Sequence, residues 1–252
     1  MVIFTNLLTL IGLIVMGWLV GSLLNFLADI LPEEPRTWRA RCLACRSVRS
    51  WLDYVLLRAC PVCGKKQSSR TVVTQLLSVV GIIALWAYPP DRFGFWAILP
   101  CMIYFALVAI IDIEHHLILH IVTLAGALLV LPTGILWNGA LSTLIGGAAG
   151  ALIMFILFYL GELFRRWISR ARHEEVVEEA LGFGDVTLSA VLGLLLGWPK
   201  IAFNIITAIV LAGLASGLYL LIMLLRKKYL PFTAIPYGPF LLIGAVILIY
   251  LA

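Results

Sequence analysis

Two carboxylates stand in apolar surroundings that a water-soluble chain would keep free of charge. Asp112 follows the run Leu107-Val108-Ala109-Ile110-Ile111 and precedes Ile113-Glu114-His115-His116. Asp185 closes Leu181-Gly182-Phe183-Gly184-Asp185 and opens the apolar stretch Val186-Thr187-Leu188-Ser189-Ala190-Val191-Leu192-Gly193. Ionisable groups in the membrane zone are costly and tend to be functional. Brought face to face, two carboxylates cannot both ionise cheaply and share one proton. The ionised member then takes a proton from water while the protonated member polarises a peptide carbonyl, which is aspartyl-protease chemistry. Gly182 and Gly184 would let another backbone approach the second carboxylate. Structural roles compete: Asp112 as a helix-end residue at the interface, Asp185 as an N-cap. Asp29 and Glu162, also near span ends, read as interfacial charges, and His115 and His116 as solvated side chains at headgroup level.

A second constellation has metal-ligand spacing. Cys42-Leu43-Ala44-Cys45 and Cys60-Pro61-Val62-Cys63-Gly64 are two CxxC pairs separated by fourteen residues. Four thiolates so spaced suit a tetrahedral Zn²⁺ site of the zinc-ribbon kind, with Gly64 allowing the tight turn that follows. The competing reading is two disulfides or four ordinary thiols, which a reducing cytoplasm disfavours. A bound ion also explains how so short a loop folds with little core of its own. Cys101, inside an apolar span, reads as a buried apolar side chain. The basic residues around the cysteines are ascribed to topology and anionic lipid rather than to nucleic acid, since no base-stacking aromatics interleave them.

These groups must be positioned by membrane helices. The chain has 252 residues, 63% of them hydrophobic and only 12% charged, where a soluble domain carries about a quarter charged residues. Disordered, collagen-like and disulfide-scaffold chains are excluded by the same figures. A spanning helix needs about 20 mostly apolar residues, and eight candidates occur near 4–28, 71–88, 94–111, 119–137, 139–162, 184–198, 201–225 and 233–252. Trp137-Asn138-Gly139 predicts a tight hairpin between the fourth and fifth. The sixth, short and carrying Gly193 and Gly197, suits a helix packed closely among neighbours. The segment 4–28 does not read as a cleavable signal, because no basic residue precedes it and no small-residue cleavage site follows. A polar, helix-like connection is expected over 165–181.

Charge then orients the spans. Sixteen of the 18 Lys and Arg residues fall in 36–70, 165–172 and 226–228, leaving Arg92 and Lys200 opposite. The positive-inside rule puts those three clusters in the cytoplasm and both termini outside. Asp112 and Asp185 then lie at the same cytoplasmic border. The expected fold is an all-α polytopic membrane protein of about eight transmembrane helices. Its parts are a first helix (1–31), a cytoplasmic four-cysteine zinc-ribbon-like loop (32–70) and a seven-helix membrane domain (71–252).

Beyond the chemistry, the sequence resembles the type IV prepilin leader peptidases, membrane aspartyl proteases of the GxGD type. Ala180-Leu181-Gly182-Phe183-Gly184-Asp185-Val186-Thr187-Leu188 is similar to the family's second catalytic aspartate motif, and Ala109-Ile110-Ile111-Asp112-Ile113-Glu114 to the first. Gly21-Ser22-Leu23-Leu24-Asn25 with Leu31-Pro32 resembles its first helix and exit, the segment from Ser50-Trp51 to Gly64 its cysteine loop, and Ile235-Pro236-Tyr237-Gly238-Pro239-Phe240 the start of its last helix. The resemblance implies cleavage of type IV prepilins, or pseudopilins of type II secretion, after the Gly ending a basic leader, at the cytoplasmic face of the inner membrane. It further implies methylation of the new amino terminus with S-adenosylmethionine, for which no residues of this chain can be named. Leu119-His120 stand where the family has a Pro-Asp pair, Asp29-Ile30 where it has Tyr-Arg, and Gln75 where it often has Glu. Two other classes remain open: a proton-coupled transporter, which would want midplane carboxylates and related halves, and a non-catalytic membrane-anchored zinc-ribbon adaptor.

Overall fold

The computed structural model describes residues 7–33, 39–42, 44–172, 182–226 and 236–251, apart from the side chains of Ile168, Ala171 and Arg172. The described residues are helical almost throughout, with one isolated antiparallel bridge between Arg41 and Val48. The helices are α1 (Leu7–Ile30), α2 (Trp51–Val55), α3 (Ser69–Ala87), α4 (Gly94–His115), α5 (His120–Asn138), α6 (Ala140–Arg172), α7 (Phe183–Leu196), α8 (Lys200–Leu225) and α9 (Gly238–Leu251). In hydrocarbon every backbone N–H must find an internal acceptor, so long apolar runs become helices.

Each of the eight predicted spans is a helix. Six are long and apolar enough to cross a membrane. The other two, α7 and α9, have 14 residues each and reach only about 21 Å at 1.5 Å per residue. Asn138 ends α5, Gly139 turns at φ 78°, and Ala140 begins α6, which is the expected hairpin. Part of the expected 165–181 connection is regular helix, because α6 runs on to Arg172. Residues 173–181 lie outside the described residues, as do Arg36, Lys227, Lys228 and Ile235.

The chain divides into two compact units, Met1–Ile111 and Asp112–Ala252. In the first, α1 packs along α3 through Gly17, which faces the Val79 backbone, and Gly21, which faces Gln75. A buried amide network joins the same two helices. Gln75 Nε2 donates to Ser22 Oγ at 2.7 Å and to the Trp18 carbonyl at 3.1 Å, and Asn25 Nδ2 donates to the Thr71 carbonyl at 3.2 Å. An amide at position 75 can donate to two oxygens at once, whereas a carboxylate there could only accept. Asp29 is more than an interfacial charge: Arg70 Nη2 lies 2.6 Å from its Oδ1, and the Tyr54 hydroxyl donates to its Oδ2.

In the second unit α7 is the buried centre. Nine of its 14 residues are buried, and it packs against α5, α6, α8 and α9. Its close fit to α5 and α6 comes from missing side chains, the usual device where lipid offers no hydrophobic drive for helix association. A Cβ at Gly146 would strike the Gly193 carbonyl and sit 2.7 Å from Gly197 Cα, and one at Gly134 would strike the Leu194 carbonyl. Gly146→Ala should therefore lower stability by about 1–3 kcal/mol. Gly213→Ala on α8, where nothing lies within 4 Å, should be neutral or mildly stabilising. Thermal unfolding of both variants in one detergent measures the contrast.

Candidate active site and metal centre

Both carboxylates singled out from the sequence belong to the second unit, and both are buried, Asp112 at 5% exposure and Asp185 at 6%. Asp112 does not end its helix: α4 continues to His115, so the carboxyl group projects from the last turn. Asp185 is not the N-cap of α7. Gly182 holds that place, and Asp185, three residues on, accepts the Gly182 N–H through Oδ2 at 3.3 Å. This is the reciprocal half of a capping box, available because Gly182 has no side chain of its own to compete. The edge-on contact of Phe183 with Phe158, ring centroids 6.1 Å apart, fixes the same turn against α6.

The two side chains come near enough to interact electrostatically. The start of α9 completes the arrangement. The Gly238 N–H faces the Asp112 carboxyl group, and a Cβ at Gly238 would lie 2.5 Å from Asp112 Oδ2. Only glycine lets the backbone come this close. The Tyr237 hydroxyl is buried without a hydrogen-bond partner among the described residues, as is Asp112 Oδ2, and the phenol interacts electrostatically with Asp185. Of the two glycines in the motif, Gly182 is exposed beside Asp185, while Gly184 accommodates Ile118, whose Cβ would be 2.7 Å from an added Cβ. His115 and His116 are exposed, as expected. Glu162 stays outside this cluster and is held by Arg165 Nε and Arg166 Nε, each at 2.7 Å. The sequence marks Tyr237 and Gly238 only within the segment resembling the start of the family's last helix, and gives neither a role beside Asp112.

Two buried carboxyl groups, each met by a backbone amide, are the kind of groups that general acid–base attack on a carbonyl uses.

The cysteines form a second site, within the first unit. The Sγ atoms of Cys42, Cys45, Cys60 and Cys63 all lie within 4.8 Å of one another. Cys42 and Cys63 are 3.7 Å apart, and Cys45 and Cys60 are 3.5 Å apart. A tetrahedral ion with Zn–S bonds of about 2.3 Å spaces its sulfurs by about 3.8 Å, so the four could hold a metal ion such as zinc. The two halves are built alike. Cys42 N–H donates to the Ser47 carbonyl and Cys60 N–H to the Lys65 carbonyl, both at 2.9 Å. Arg46 N–H and Gly64 N–H return to the Cys42 and Cys60 carbonyls at 2.8 and 2.9 Å. Both turning residues are left-handed, Gly64 at φ 69° and Arg46 at φ 56°. Backbone N–H groups of Ala44 and Cys45 hold the Cys42 thiol below its ordinary range, and the Ser47 hydroxyl does the same for Cys60. Beneath the cluster Arg49, 8% exposed, donates to Gln67 Oε1 at 2.5 Å and to the Lys65 carbonyl at 3.3 Å, with Nη2 3.9 Å from Cys42 Sγ. A buried cation suits the charge excess of four thiolates on a divalent ion.

With both sites described, comparison with known proteins can be set beside them. The model of the type IV leader peptidase family matches residues 96–251, a stretch that holds Asp112, Asp185 and Gly238 but not Cys42, Cys45, Cys60 or Cys63. The chain is 31% identical to the prepilin leader peptidase/N-methyltransferase of Myxococcus xanthus, over 74% of this chain and 56% of that one. It is 29% identical to the type 4 prepilin-like proteins leader peptide-processing enzyme of Escherichia coli, over 80% and 68% of the two chains. To the prepilin leader peptidase/N-methyltransferase of Pseudomonas aeruginosa it is 26% identical, over 92% and 86%. The chain thus spans little more than half the length of the Myxococcus xanthus protein. No solved structure matches it.

The metal geometry is directly testable. Cys60→Ser should strip most of the bound metal, while Cys101→Ser should leave the content unchanged. Arg49→Gln should weaken metal affinity about tenfold, as loss of a group that orients ligands does. Elemental analysis of purified variants and competition with a chromogenic chelator give the readouts.

Proposed function

Because the chain belongs to the type IV leader peptidase family, we propose that it is a membrane aspartyl endopeptidase that removes the leader of type IV prepilins or pseudopilins. The observation that carries this reading is the meeting of two buried carboxylates from α4 and α7, with the Gly238 amide against one and the Gly182 amide against the other. Asp112 and Asp185 are the catalytic pair in this proposal. They share one proton. The ionised carboxylate takes a proton from water as its oxygen bonds to the scissile carbonyl carbon, and the other carboxyl gives its proton to the carbonyl oxygen. Collapse of the tetrahedral adduct breaks the C–N bond, with the first proton passing to the departing amine and a hydroxyl proton of the adduct returning to the second carboxylate. Gly182, exposed beside Asp185, offers backbone to an extended substrate, and Gly184 keeps side-chain bulk away from the same turn.

In this reading Cys42, Cys45, Cys60 and Cys63 bind a structural Zn²⁺. The names of the relatives support a second activity, methylation of the new amino terminus with S-adenosylmethionine. The excess of Lys and Arg on one side supports an inner-membrane chain with its cysteine loop in the cytoplasm and both termini outside. The substrate and surrounding lipid are its partners, with no nucleic acid among them.

Purified protein with a prepilin peptide tests the reading. Asp112→Asn and Asp185→Asn should each abolish cleavage while inserting and folding normally, and processing by either variant would sink the dyad. Gly238→Ala should lower kcat about 100-fold with little change in KM, since the new methyl displaces the Asp112 carboxyl group by a fraction of its working distance. Adding S-adenosylmethionine should raise the mass of the product by one methyl group, and no such increment would remove the second activity alone.

A further inference from the structure

The peptide between the two cysteine turns has an apolar face that neither site uses. Tyr54 points inward at 1% exposure, while Trp51, Leu52 and Leu56 are 40%, 59% and 54% exposed. In water such a cluster on one short helical turn is a liability, and a surface of this kind marks an interaction site.

Its level along α1 says what it meets. Trp18 Nε1 donates to the Val55 carbonyl at 2.7 Å. Trp18 stands eleven residues before Asp29 in α1, about 16 Å along the helix axis at 1.5 Å per residue. Asp29 with Arg70 marks the polar end of α1 and α3, so α2 lies beside the apolar part of a membrane-spanning helix. Tyr54 gives an independent measure. Its ring meets Phe26 edge-on at 5.9 Å and its hydroxyl reaches Asp29, the posture of an amphipathic side chain extending from an apolar zone to a polar rim. At such depth a carbonyl at the end of a helix has no water to accept from, and the Trp18 indole fills that need. After α2 the chain turns back at Leu57, left-handed at φ 47°, with Arg58 N–H donating to the Asp53 carbonyl at 3.0 Å. Arg46, Arg58, Lys65 and Lys66 are all exposed in the same loop.

We propose that Trp51–Leu56 is a re-entrant interfacial segment, a lipid-binding surface distinct from both sites above. Trp51, Leu52 and Leu56 enter the acyl chains of the adjoining leaflet, and Arg46, Arg58, Lys65 and Lys66 rest on anionic headgroups. The cysteine loop is thereby held on the bilayer rather than free above it. Aromatic and aliphatic side chains on one face with basic residues flanking them are what an anionic lipid surface selects.

The test uses the full chain in nanodiscs of phosphatidylethanolamine and phosphatidylglycerol, carrying Leu52→p-benzoylphenylalanine. Photolysis should give phospholipid adducts at a yield like that of the same label at Leu128, which is 69% exposed on α5. The yield should be at least several-fold above that of the label at Val62, 72% exposed on the second cysteine turn. A Leu52 yield no higher than the Val62 yield overturns the insertion. Replacing phosphatidylglycerol by phosphatidylcholine should lower the adduct at Leu52 at least twofold, and an unchanged yield overturns the headgroup contact. Should the Leu52 variant elute as aggregate, the label at Leu56 reads the same face. In native membranes a protein adduct in place of lipid would assign the face to a protein partner and overturn the proposal.

Discussion

A carboxyl group at the edge of a hydrocarbon layer survives only if the fold brings it hydrogen-bond donors or a second carboxyl to share its proton. Asp112 lies against the Gly238 amide, Asp185 accepts from the Gly182 amide, and the two carboxyl groups are near enough to interact electrostatically. That requirement shapes much of the second unit. α7 must begin at Gly182, so that its first turn is folded around Asp185. α9 must begin at a glycine, so that its backbone can lie against Asp112. α7 must also be gripped firmly enough to hold its carboxylate still, and glycine contacts with α5 and α6 provide the grip. Among the described residues the arrangement leaves one oxygen of Asp112 and the hydroxyl of Tyr237 without a hydrogen-bond partner. A chain selected for stability alone would have removed such buried orphans, each of which costs about 1–3 kcal/mol.

How much of this is written in the sequence depends on the range over which each signal acts. The helices were legible because hydrophobic length is a local property that the bilayer reads directly. Asp112 and Asp185 were legible because a carboxylate in an apolar run is anomalous without reference to anything distant. Tyr237 and Gly238 were not. Nothing in their neighbourhood says that α9 starts beside Asp112, since that depends on how α4, α7 and α9 pack. The N-cap role left open for Asp185 illustrates the same limit on a smaller scale. A one-turn offset decides whether a carboxylate begins a helix or closes its first turn, and helix starts are the least determinate feature of an apolar sequence. Asp29 likewise gave no sign that Arg70, forty-one residues on, would be its partner.

The cysteine loop inverts that balance. Its candidate ligands are legible from spacing, because each CxxC turn carries its own backbone hydrogen bonds. Two such turns, superimposable in their bonding and differing only in Gly64 against Arg46 at the left-handed residue, leave the four sulfurs at metal-ligand separations. What spacing could not disclose is Arg49, buried under the sulfurs, or the depth at which α2 lies along α1. Both follow from long side chains, Arg49 and Trp18, that reach across elements.

The two sites also differ in how much change they tolerate. In the cysteine centre a divalent ion would supply most of the order, with the protein contributing four thiolates and the buried Arg49 as a counter-charge. Around the two carboxylates the positioning groups are the protein's own. Every part of the geometry is carried by backbone: a capping amide, a glycine with no side chain and a helix held by carbonyl-to-glycine contacts. Substitution at any of those points moves one of the two carboxyl groups, whereas an exposed side chain such as Leu52 between the cysteine turns can change with little effect on the sulfurs. The family match follows this division, beginning at residue 96, after the four clustered cysteines, and running through Asp112, Gly182, Asp185 and Gly238.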